Sequence, residues 1–168
     1  MTKVFDIRCI DHSLEAVARQ IHSVQMSAYA EEAKLLGAVY FPPLYRTVED
    51  IRTCQEEFIA TYVVEQLVGA VSVWPDPEGM GKNIASLVVA PAFQRRGIAR
   101  CLVAEVLHRY GDSNLTVQTG ARNEPAIHLY RQSGFVELRR WFVGQEPLEL
   151  VKLHRPAQPM SRLVNNAV

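Results

Sequence analysis

The sequence predicts a layered α/β domain, with α+β layers around a mixed sheet, in the element order βααβββαβαββ. Hydrophobic residues make up 48% and charged residues 21% of the 168 residues, a composition typical of a folded globular chain. Segments with an apolar residue at every second position, typical of strands, are interspersed with segments whose apolar residues lie three and four positions apart, typical of helices. Some strands follow each other as hairpins and others are separated by a helix, and this combination favours layers around a mixed sheet.

The chain is predicted to begin with a strand and a long helix. Residues 5–9 alternate between apolar and polar side chains, as in a half-buried strand. Asp11 or Ser13 can cap the helix that follows, and its pattern fades near Gly37. The apolar stripe of this helix is formed by Leu14, Val17, Ile21, Val24 and Ala28.

The middle of the chain is predicted to hold a short helix and three strands. Thr47 and Asp50 have the spacing of a capping box, which predicts a helix from Val48 to about Gln55. The strands are predicted over Phe58–Val64, Leu67–Trp74 and Ile84–Val89, with Glu65-Gln66 as a hairpin turn and residues 75–81 as a loop.

The last part of the chain is predicted to contain two helices and three strands. In order, they are a helix over Ile98–Tyr110, a strand over Leu115–Thr119, a helix that begins at Asn123 and ends at Gly134, and strands over Phe135–Val143 and Leu148–Leu153. We expect one domain over residues 3–154 and a loosely ordered polar tail over residues 155–168.

Charge and cysteine content exclude several classes of protein. Lys and Arg total 18 and Asp and Glu total 18, so no excess positive charge supports binding to nucleic acid or to a membrane surface. No run of 18 apolar residues occurs, so no membrane span is expected. The three cysteines are far apart and form no C-x-x-C pair, which predicts neither a metal site nor a disulfide framework and favours a cytoplasmic location.

The segment that carries chemistry runs from Leu87 to Ala99, where a strand ends and a helix begins at Gly97. The N–H groups in the first turn of a helix have no intrahelical partner, and with the helix dipole they form an anion site. Arg95 and Arg96 add positive charge beside it. The segment is therefore interpreted either as a pyrophosphate cradle or as a solvated basic turn. It matches neither the ATP-type phosphate loop nor the dinucleotide fingerprint.

Two motifs resemble the GNAT superfamily of acyl-CoA N-acyltransferases. Gln94-Arg95-Arg96-Gly97-Ile98-Ala99 is similar to its Q/R-x-x-G-x-G/A loop, and it follows a strand that ends in Leu87-Val88-Val89-x-Pro91. Asn123-x-x-Ala126-x-x-Leu129-Tyr130-x-x-x-Gly134-Phe135 is similar to a later helix of the family. The resemblance extends from Phe5 to Leu153 and implies a mostly antiparallel sheet whose central strand pair splays apart.

The resemblance implies acetyl-CoA as the cosubstrate. Backbone groups of the strand would pair with the pantetheine arm, and helix-start N–H groups would hold the pyrophosphate. Asn123 would bind the pantetheine end or only fix the helix start, and Arg100 would touch a phosphate or only face solvent. The residues expected to bind acetyl-CoA are Leu87, Val88, Val89, Gln94, Arg95, Arg96, Gly97, Ile98, Ala99, Arg100, Asn123 and Tyr130.

The implied reaction is attack of a primary amine on the thioester, within a ternary complex. Tyr130 is expected to be the catalytic hydrogen-bond donor to the leaving thiolate. Many family members carry a Glu on the strand before the loop, but residues 83–87 hold no carboxylate here. Asn83 or Ser86 could position a water molecule. The remaining candidates for the base are Glu31, Glu32, Glu57 and His128, which residue type alone suggests, and the favoured interpretation of each is a surface residue.

The acceptor site implied by the resemblance lies beside the first two helices and the last strand pair. The candidate residues there are Tyr29, Glu32, Phe41, Trp74 and Trp141, whose aromatic rings and acid could hold a cationic amine or could simply belong to the core. We expect a small-molecule amine as acceptor. The alternatives are a protein lysine or N-terminus, a binding module of the same fold without catalysis, and a nucleic-acid contact. A homodimer is an open alternative, without an interface signal in the sequence.

Overall fold

The structure is a computed structural model and describes residues 5–159. Its strands are β1 (Asp6–Ile10), β2 (Glu57–Val63), β3 (Gln66–Pro75), β4 (Lys82–Val89), β5 (Leu115–Gly120), β6 (Val136–Val143) and β7 (Leu148–Arg155). Its helices are α1 (Glu15–Leu36), α2 (Val48–Thr53), α3 (Ile98–Tyr110) and α4 (Glu124–Gln132). The predicted element order and the predicted mixed α/β architecture are confirmed.

All seven strands form one sheet in the order β1-β2-β3-β4-β5-β7-β6, and only the β4–β5 pair is parallel. Helices α1 and α2 cover one face, where Ile51 and Phe58 are buried. Helices α3 and α4 cover the other face, where Leu102, Leu153 and Phe135 are buried. Each such side chain stabilises the fold by about 1.5–3 kcal/mol, so both layers fix the sheet from which the site is built.

The central parallel pair separates after three residues. Register partners are Lys82 with Leu115, Asn83 with Thr116 and Ile84 with Val117, and none follows. The backbone of β4 from residue 85 to residue 89 therefore has no strand partner on its β5 side. The predicted splay of the central strands is confirmed, and it leaves strand-pairing groups free for a ligand.

A chain of polar contacts joins the two strands at the closed end of this splay. Trp74 Nε1 donates to Asn83 Oδ1 (3.1 Å), and Asn83 Nδ2 donates to Thr116 Oγ1 (2.9 Å). The Thr116 hydroxyl donates to Asp76, which pairs with Lys152 Nζ at 3.1 Å. Both charged side chains are almost fully buried. This chain links the β3–β4 connection, β4, β5 and β7, and so fixes where the strands diverge.

The buried charge of Asp76 is well stabilised. Burial alone would raise the pKa of Asp76, but hydrogen bonds from Thr116, the Glu78 N–H and Lys152 outweigh it and hold the pKa below its ordinary value. Asp76 is therefore ionised at neutral pH, as its pairing with Lys152 requires.

Helix α1 differs from its prediction at both its cap and its stripe. The N-cap is Leu14, which makes no side-chain cap, and Asp11 instead accepts hydrogen bonds from Ser13. Leu14 is 55% exposed because it lies outside the helix. The buried face consists of Ala18, Ile21, Val24, Gln25, Tyr29, Ala33 and Leu36. The stripe is thus rotated relative to the prediction, which counted Leu14 as helical.

Two boundaries also differ. Gln66 already pairs with Val63, so the hairpin turn consists of Val64 and Glu65, and Val64 adopts a positive φ of 58°. Strand β7 continues to Arg155, and the Ala157 N–H donates to Asn114 Oδ1. The start of the expected tail is therefore held against the domain, and residues 160–168 lie outside the described residues. No helix within residues 5–159 is long and apolar enough to cross a membrane.

Candidate active site

The start of α3 presents an uninterrupted run of backbone donors. Arg95 has a φ of 63° and Gly97 a φ of 85°, so the chain turns with its N–H groups on the inside. Within residues 5–159, the N–H groups of residues 95–100 donate to no acceptor. The first hydrogen bond of the helix start runs from the Cys101 N–H to the Gly97 carbonyl. This amide nest, residues 95–100, is an anion site in both charge and geometry.

The amide nest opens into a cavity of about 540 Å³, here called the splay cavity. Its walls are α1, the open end of β4, the start of α3 and the start of α4. A Cβ built on Gly97 would meet nothing within 4 Å, so this glycine keeps the nest open to the cavity. Ten residues expected to bind acetyl-CoA line it: Leu87, Val88, Val89, Gln94, Arg95, Gly97, Ile98, Ala99, Arg100 and Asn123.

The side chains of Gln94 and Arg96 hold the loop in shape. Gln94 Nε2 donates to the Val89 carbonyl (3.2 Å). Arg96 Nη2 donates to the Ala92 carbonyl (3.0 Å), and its guanidinium lies over the Phe93 ring. The Arg96 side chain is therefore occupied with the loop, while Arg95 and Arg100 line the splay cavity.

Asn123 serves both the helix start and the cavity. Its Oδ1 accepts from the Ala126 N–H (3.3 Å) as the N-cap of α4. Its Nδ2 donates to Glu32 Oε1 (3.2 Å). Burial raises the pKa of Glu32, and the hydrogen bond from Asn123 partly offsets that rise. A half-buried carboxylate of raised pKa thus lies in the splay cavity, on α1.

Tyr130 and Tyr29 are close enough to Glu32 to feel its charge. Tyr130 is buried on α4 with its ring edge-on to Phe135. Burial raises the pKa of Tyr130 well above its ordinary value, and Glu32 and Tyr29 raise it further. Burial and Glu32 raise the pKa of Tyr29 to about 12. Phe41 packs edge-on against Tyr29, with ring centroids 6.1 Å apart. Tyr29 therefore packs against Phe41 and lies near Glu32, but of these three acceptor-site candidates only Glu32 lines the splay cavity.

The other candidates for the base or for positioning water are engaged or distant. Asn83 belongs to the polar chain at the closed end of the splay. The Ser86 hydroxyl is 2.6 Å from that of Ser72. Glu57 accepts from the Tyr110 hydroxyl and pairs with Lys82, and His128 is exposed on α4. Only Glu31 and Glu32 among the proposed bases line the splay cavity.

A second cavity of about 780 Å³, here called the hairpin cavity, lies beside the end of α1. Its walls are the segment from Gly37 to Tyr40, the β5–α4 turn at Arg122, and the β6–β7 hairpin with Phe142. Tyr40 and Phe142 are about two-thirds exposed and give it an aromatic rim. Within residues 5–159, Arg122 forms no ion pair. The hairpin cavity lies beside the first helix and the last strand pair, where the family resemblance implies the acceptor site.

The two tryptophans expected at the acceptor site do not line either cavity in the described part of the chain. The Trp141 ring lies under the Arg139 guanidinium. Because successive side chains of a strand point to opposite faces of the sheet, Trp141 lies on the other face of β6 from Phe142. Trp74 lies at the closed end of the splay, bonded to Asn83. The structure thus places both tryptophans away from the splay cavity and the hairpin cavity, and Tyr29 and Phe41 likewise line neither.

Tyr40, Arg122 and Phe142, which line the hairpin cavity, were not predicted as site residues from the sequence. Tyr40 and Phe142 are large apolar side chains in a loop and in an edge strand, which is a usable signal for a binding surface. Arg122 follows the predicted strand before Asn123. Bringing them together requires the β6–β7 register, which local pattern does not supply. Within residues 5–159, no group of three or more His, Cys, Asp or Glu side chains is placed to hold a metal ion.

The open strand end and the amide nest thus present backbone hydrogen-bonding groups to one and the same cavity. The sequence model of the acetyltransferase (GNAT) family matches residues 19–135, and the chain belongs to this family. Enzymes of this family are acyltransferases that generally use acetyl-CoA.

Curated relatives are similar over part of their length. UPF0157 protein YqkA of Bacillus subtilis is 33% identical over 130 residues, which cover 77% of this chain and 37% of that protein. Peptidyl-lysine N-acetyltransferase YiaC of Escherichia coli is 34% identical over 70 residues, 42% of this chain and 43% of that protein. The chain thus spans less than half the length of these relatives.

Solved structures share the fold at low sequence identity. The ribosomal-protein-S18-alanine N-acetyltransferase of Escherichia coli superposes with a TM-score of 0.71 at 12% identity, covering 96% of this chain and 99% of that one. A spermidine N-acetyltransferase SpeG chimera, from Vibrio cholerae and hSSAT, gives 0.67 at 18% identity, with coverage of 91% and 95%. At these identities the likeness establishes the fold alone.

Proposed function

We propose that the protein transfers an acetyl group from acetyl-CoA to a primary amine by direct attack in a ternary complex. One observation carries the proposal. The amide nest of residues 95–100 and the end of β4 that has no strand partner on its β5 side open into the same cavity. A ligand that combines an anionic diphosphate with an amide-bearing arm satisfies both sets of backbone groups, and acetyl-CoA is such a ligand.

The residues present fit this ligand. The unpartnered N–H groups of the nest and the open space at Gly97 suit the diphosphate, with Arg95 and Arg100 adding positive charge. The backbone groups of Leu87–Val89 that point to the β5 side, where no strand pairs with them, would pair with the pantetheine arm as an added strand does. Acetyl-CoA supplies the acetyl group as an activated thioester.

The protein's own groups then assist the charge changes of the reaction. The N–H of Val88 or Val89 would stabilise negative charge that develops on the carbonyl oxygen. Tyr130 would donate a hydrogen bond to the leaving sulfur. At ordinary pKa values of about 10 and about 8.5, complete transfer from tyrosine to thiolate is uphill by about 2 kcal/mol. Because the pKa of Tyr130 is raised, transfer is less favourable still, and Tyr130 acts by hydrogen bonding as the charge develops.

The hairpin cavity is the proposed acceptor site. It lies against the end of α1, beside Leu36, while Glu32 one turn earlier on the same helix reaches the splay cavity. A small-molecule amine with an apolar body fits its aromatic rim. A protein lysine or N-terminus is the second candidate, and the partial likeness to peptidyl-lysine N-acetyltransferase YiaC favours it.

Calorimetry and a thiol-release assay test the proposal together. Acetyl-CoA should bind with measurable heat, and S-acetyl-pantetheine, which lacks the diphosphate, should bind more weakly. A panel of apolar amines, polyamines and lysine peptides should then release CoA thiol with at least one class of acceptor. The proposal fails if no acyl-CoA binds, or if acetyl-CoA binds and no member of the panel is acetylated.

A further inference from the structure

We infer that Glu32 is the group that accepts the proton of the acceptor amine, with Asn123 as its positioning residue. This inference rests on the proposed function, because it names the base of that same reaction. Glu32 thus provides, from α1, the carboxylate that is absent from residues 83–87 of β4.

Geometry singles out Glu32 among the acidic residues. It lies in the splay cavity with Val88 and Val89, and Asn123 fixes its carboxylate at 3.2 Å. Asn123 is itself fixed as the N-cap of α4, the helix that carries Tyr130. One hydrogen bond therefore ties the carboxylate on α1 to the helix that presents the hydrogen-bond donor for the leaving sulfur.

The surroundings of Glu32 suit a proton acceptor. Glu31 of α1 and Arg95 and Arg100 at the start of α3 share the splay cavity with Glu32. The buried Tyr29 of α1 and Tyr130 of α4 do not line that cavity but are close enough to Glu32 to interact with its charge. Tyr29 and Tyr130 stay neutral at physiological pH because their pKa values are raised. No ion pair engages Glu32 in the described part of the chain. The raised pKa of Glu32 also narrows its gap to that of an amine.

The proton balance of the step is complete. The ammonium form of the acceptor gives one proton to a carboxylate oxygen of Glu32, and the free amine forms a bond from nitrogen to the acetyl carbon. The carbon–sulfur bond breaks, and its electron pair leaves with sulfur. Nitrogen loses its second proton as sulfur gains one, with Tyr130 hydrogen-bonded to sulfur. Glu32 releases its proton to solvent, so each turnover yields amide, CoA thiol and one proton.

Glu32→Gln is the central test, and Glu15→Gln is the matched control. Both residues lie on α1, but Glu15 is exposed in its first turn and lines neither the splay cavity nor the hairpin cavity. With the best amine of the panel, Glu32→Gln should lower kcat at pH 7 by about 10²-fold or more, while Glu15→Gln stays within about twofold. Both variants should bind acetyl-CoA within about threefold of the wild type and melt within a few degrees of it, because Gln can still accept the Asn123 hydrogen bond.

The pH profile separates a base from a binding contact. Without a base, the Glu32→Gln rate should follow the fraction of free amine, rising about tenfold per pH unit below the amine pKa of about 10.4. Asn123→Asp keeps an N-cap but removes the donor to Glu32 and adds a like charge, so the acidic limb of the kcat/KM profile should move to higher pH.

Three outcomes overturn the inference. The first is a Glu32→Gln variant with the kcat and pH profile of Glu15→Gln. The second is a variant that raises KM for the amine with kcat unchanged, since that is the signature of an ammonium-binding contact. The third is an unmoved acidic limb in Asn123→Asp. These outcomes leave acetyl transfer by the wild type intact, whereas absence of acetyl transfer by the wild type refutes the proposed function and the role of Glu32 with it.

Discussion

Replacing Gly97 by alanine should weaken acetyl-CoA binding without unfolding the protein. Gly97 has a φ of 85°, and its added Cβ would project into open space at the amide nest. The folded state should lose about 1 kcal/mol, the cost of a left-handed conformation for a residue other than glycine. The new methyl group occupies the approach to the nest, where a bound diphosphate would accept hydrogen bonds from N–H groups.

The expected loss of affinity follows from those hydrogen bonds. A hydrogen bond to a charged group contributes about 1.5–3 kcal/mol, so loss of one raises the Kd for acetyl-CoA by about 10- to 150-fold. Gly79→Ala is the matched control, since Gly79 has a φ of 75°, equally open space around its Cβ, and a position in the β3–β4 connection away from the nest. It should show the same loss of stability and an unchanged Kd.

Isothermal titration calorimetry and thermal melts measure both quantities. A further comparison uses S-acetyl-pantetheine, whose binding Gly97→Ala should leave within about twofold because it has no diphosphate. Equal Kd values for acetyl-CoA in the two alanine variants would refute the role of the nest. An equal loss of affinity for both ligands in Gly97→Ala would place the effect elsewhere in the cavity.

Three further predictions concern the hydrogen-bond donor Tyr130, the arginines Arg96 and Arg100, and the buried ion pair of Asp76 and Lys152. Tyr130→Phe should lower kcat by about 10²-fold with acetyl-CoA affinity retained, and near-normal turnover would remove Tyr130 from the mechanism. Arg100→Gln should weaken acetyl-CoA binding by about threefold to fivefold, the effect of an exposed charge contact, and Arg96→Gln by less than twofold; the reverse ranking in calorimetry would contradict the assignment of the side chains. Asp76→Asn should lower the free energy of unfolding at pH 7 by about 2–4 kcal/mol in urea denaturation, and the half-exposed Glu78→Gln should lower it by clearly less. The pKa of Asp76 is lowered on folding, so its contribution to stability is complete above the unfolded-state pKa near 3.9 and is lost as the pH falls through the folded-state pKa. The curves of unfolding free energy against pH for the wild type and Asp76→Asn should therefore converge in acid. A constant difference between them down to pH 2 would contradict this.

Local signals predicted those elements whose ends are marked by specific residues. The Thr47 capping box and the span of α3 after Gly97 were predicted correctly, because caps and glycines act within one turn of the chain. The stripe of α1 was predicted less well. Its first turn was taken from Leu14, and which residues face the sheet depends on where the helix starts.

The candidate site also combines features that local sequence determines with features that depend on tertiary packing. The amide nest and the open end of β4 lie within a continuous segment, so one motif could indicate both. The contact between Glu32 and Asn123 joins residues 91 positions apart, and the hairpin cavity depends on the register of β6 against β7. Such contacts arise from tertiary packing, which is why the sequence offered Glu32 only as one of several acids and did not indicate Tyr40, Arg122 and Phe142.

The polar contacts from Trp74 to Lys152 have an energetic consequence for ligand affinity. They hold the angle between β4 and β5 through side chains that take no part in the amide nest, so the divergence of the strands is preorganised during folding. A gap that had to open for each ligand would weaken the observed affinity in proportion to the rarity of the open form. Here that conformational cost is met once, by the folding of the protein, and none of it is subtracted from the free energy of binding.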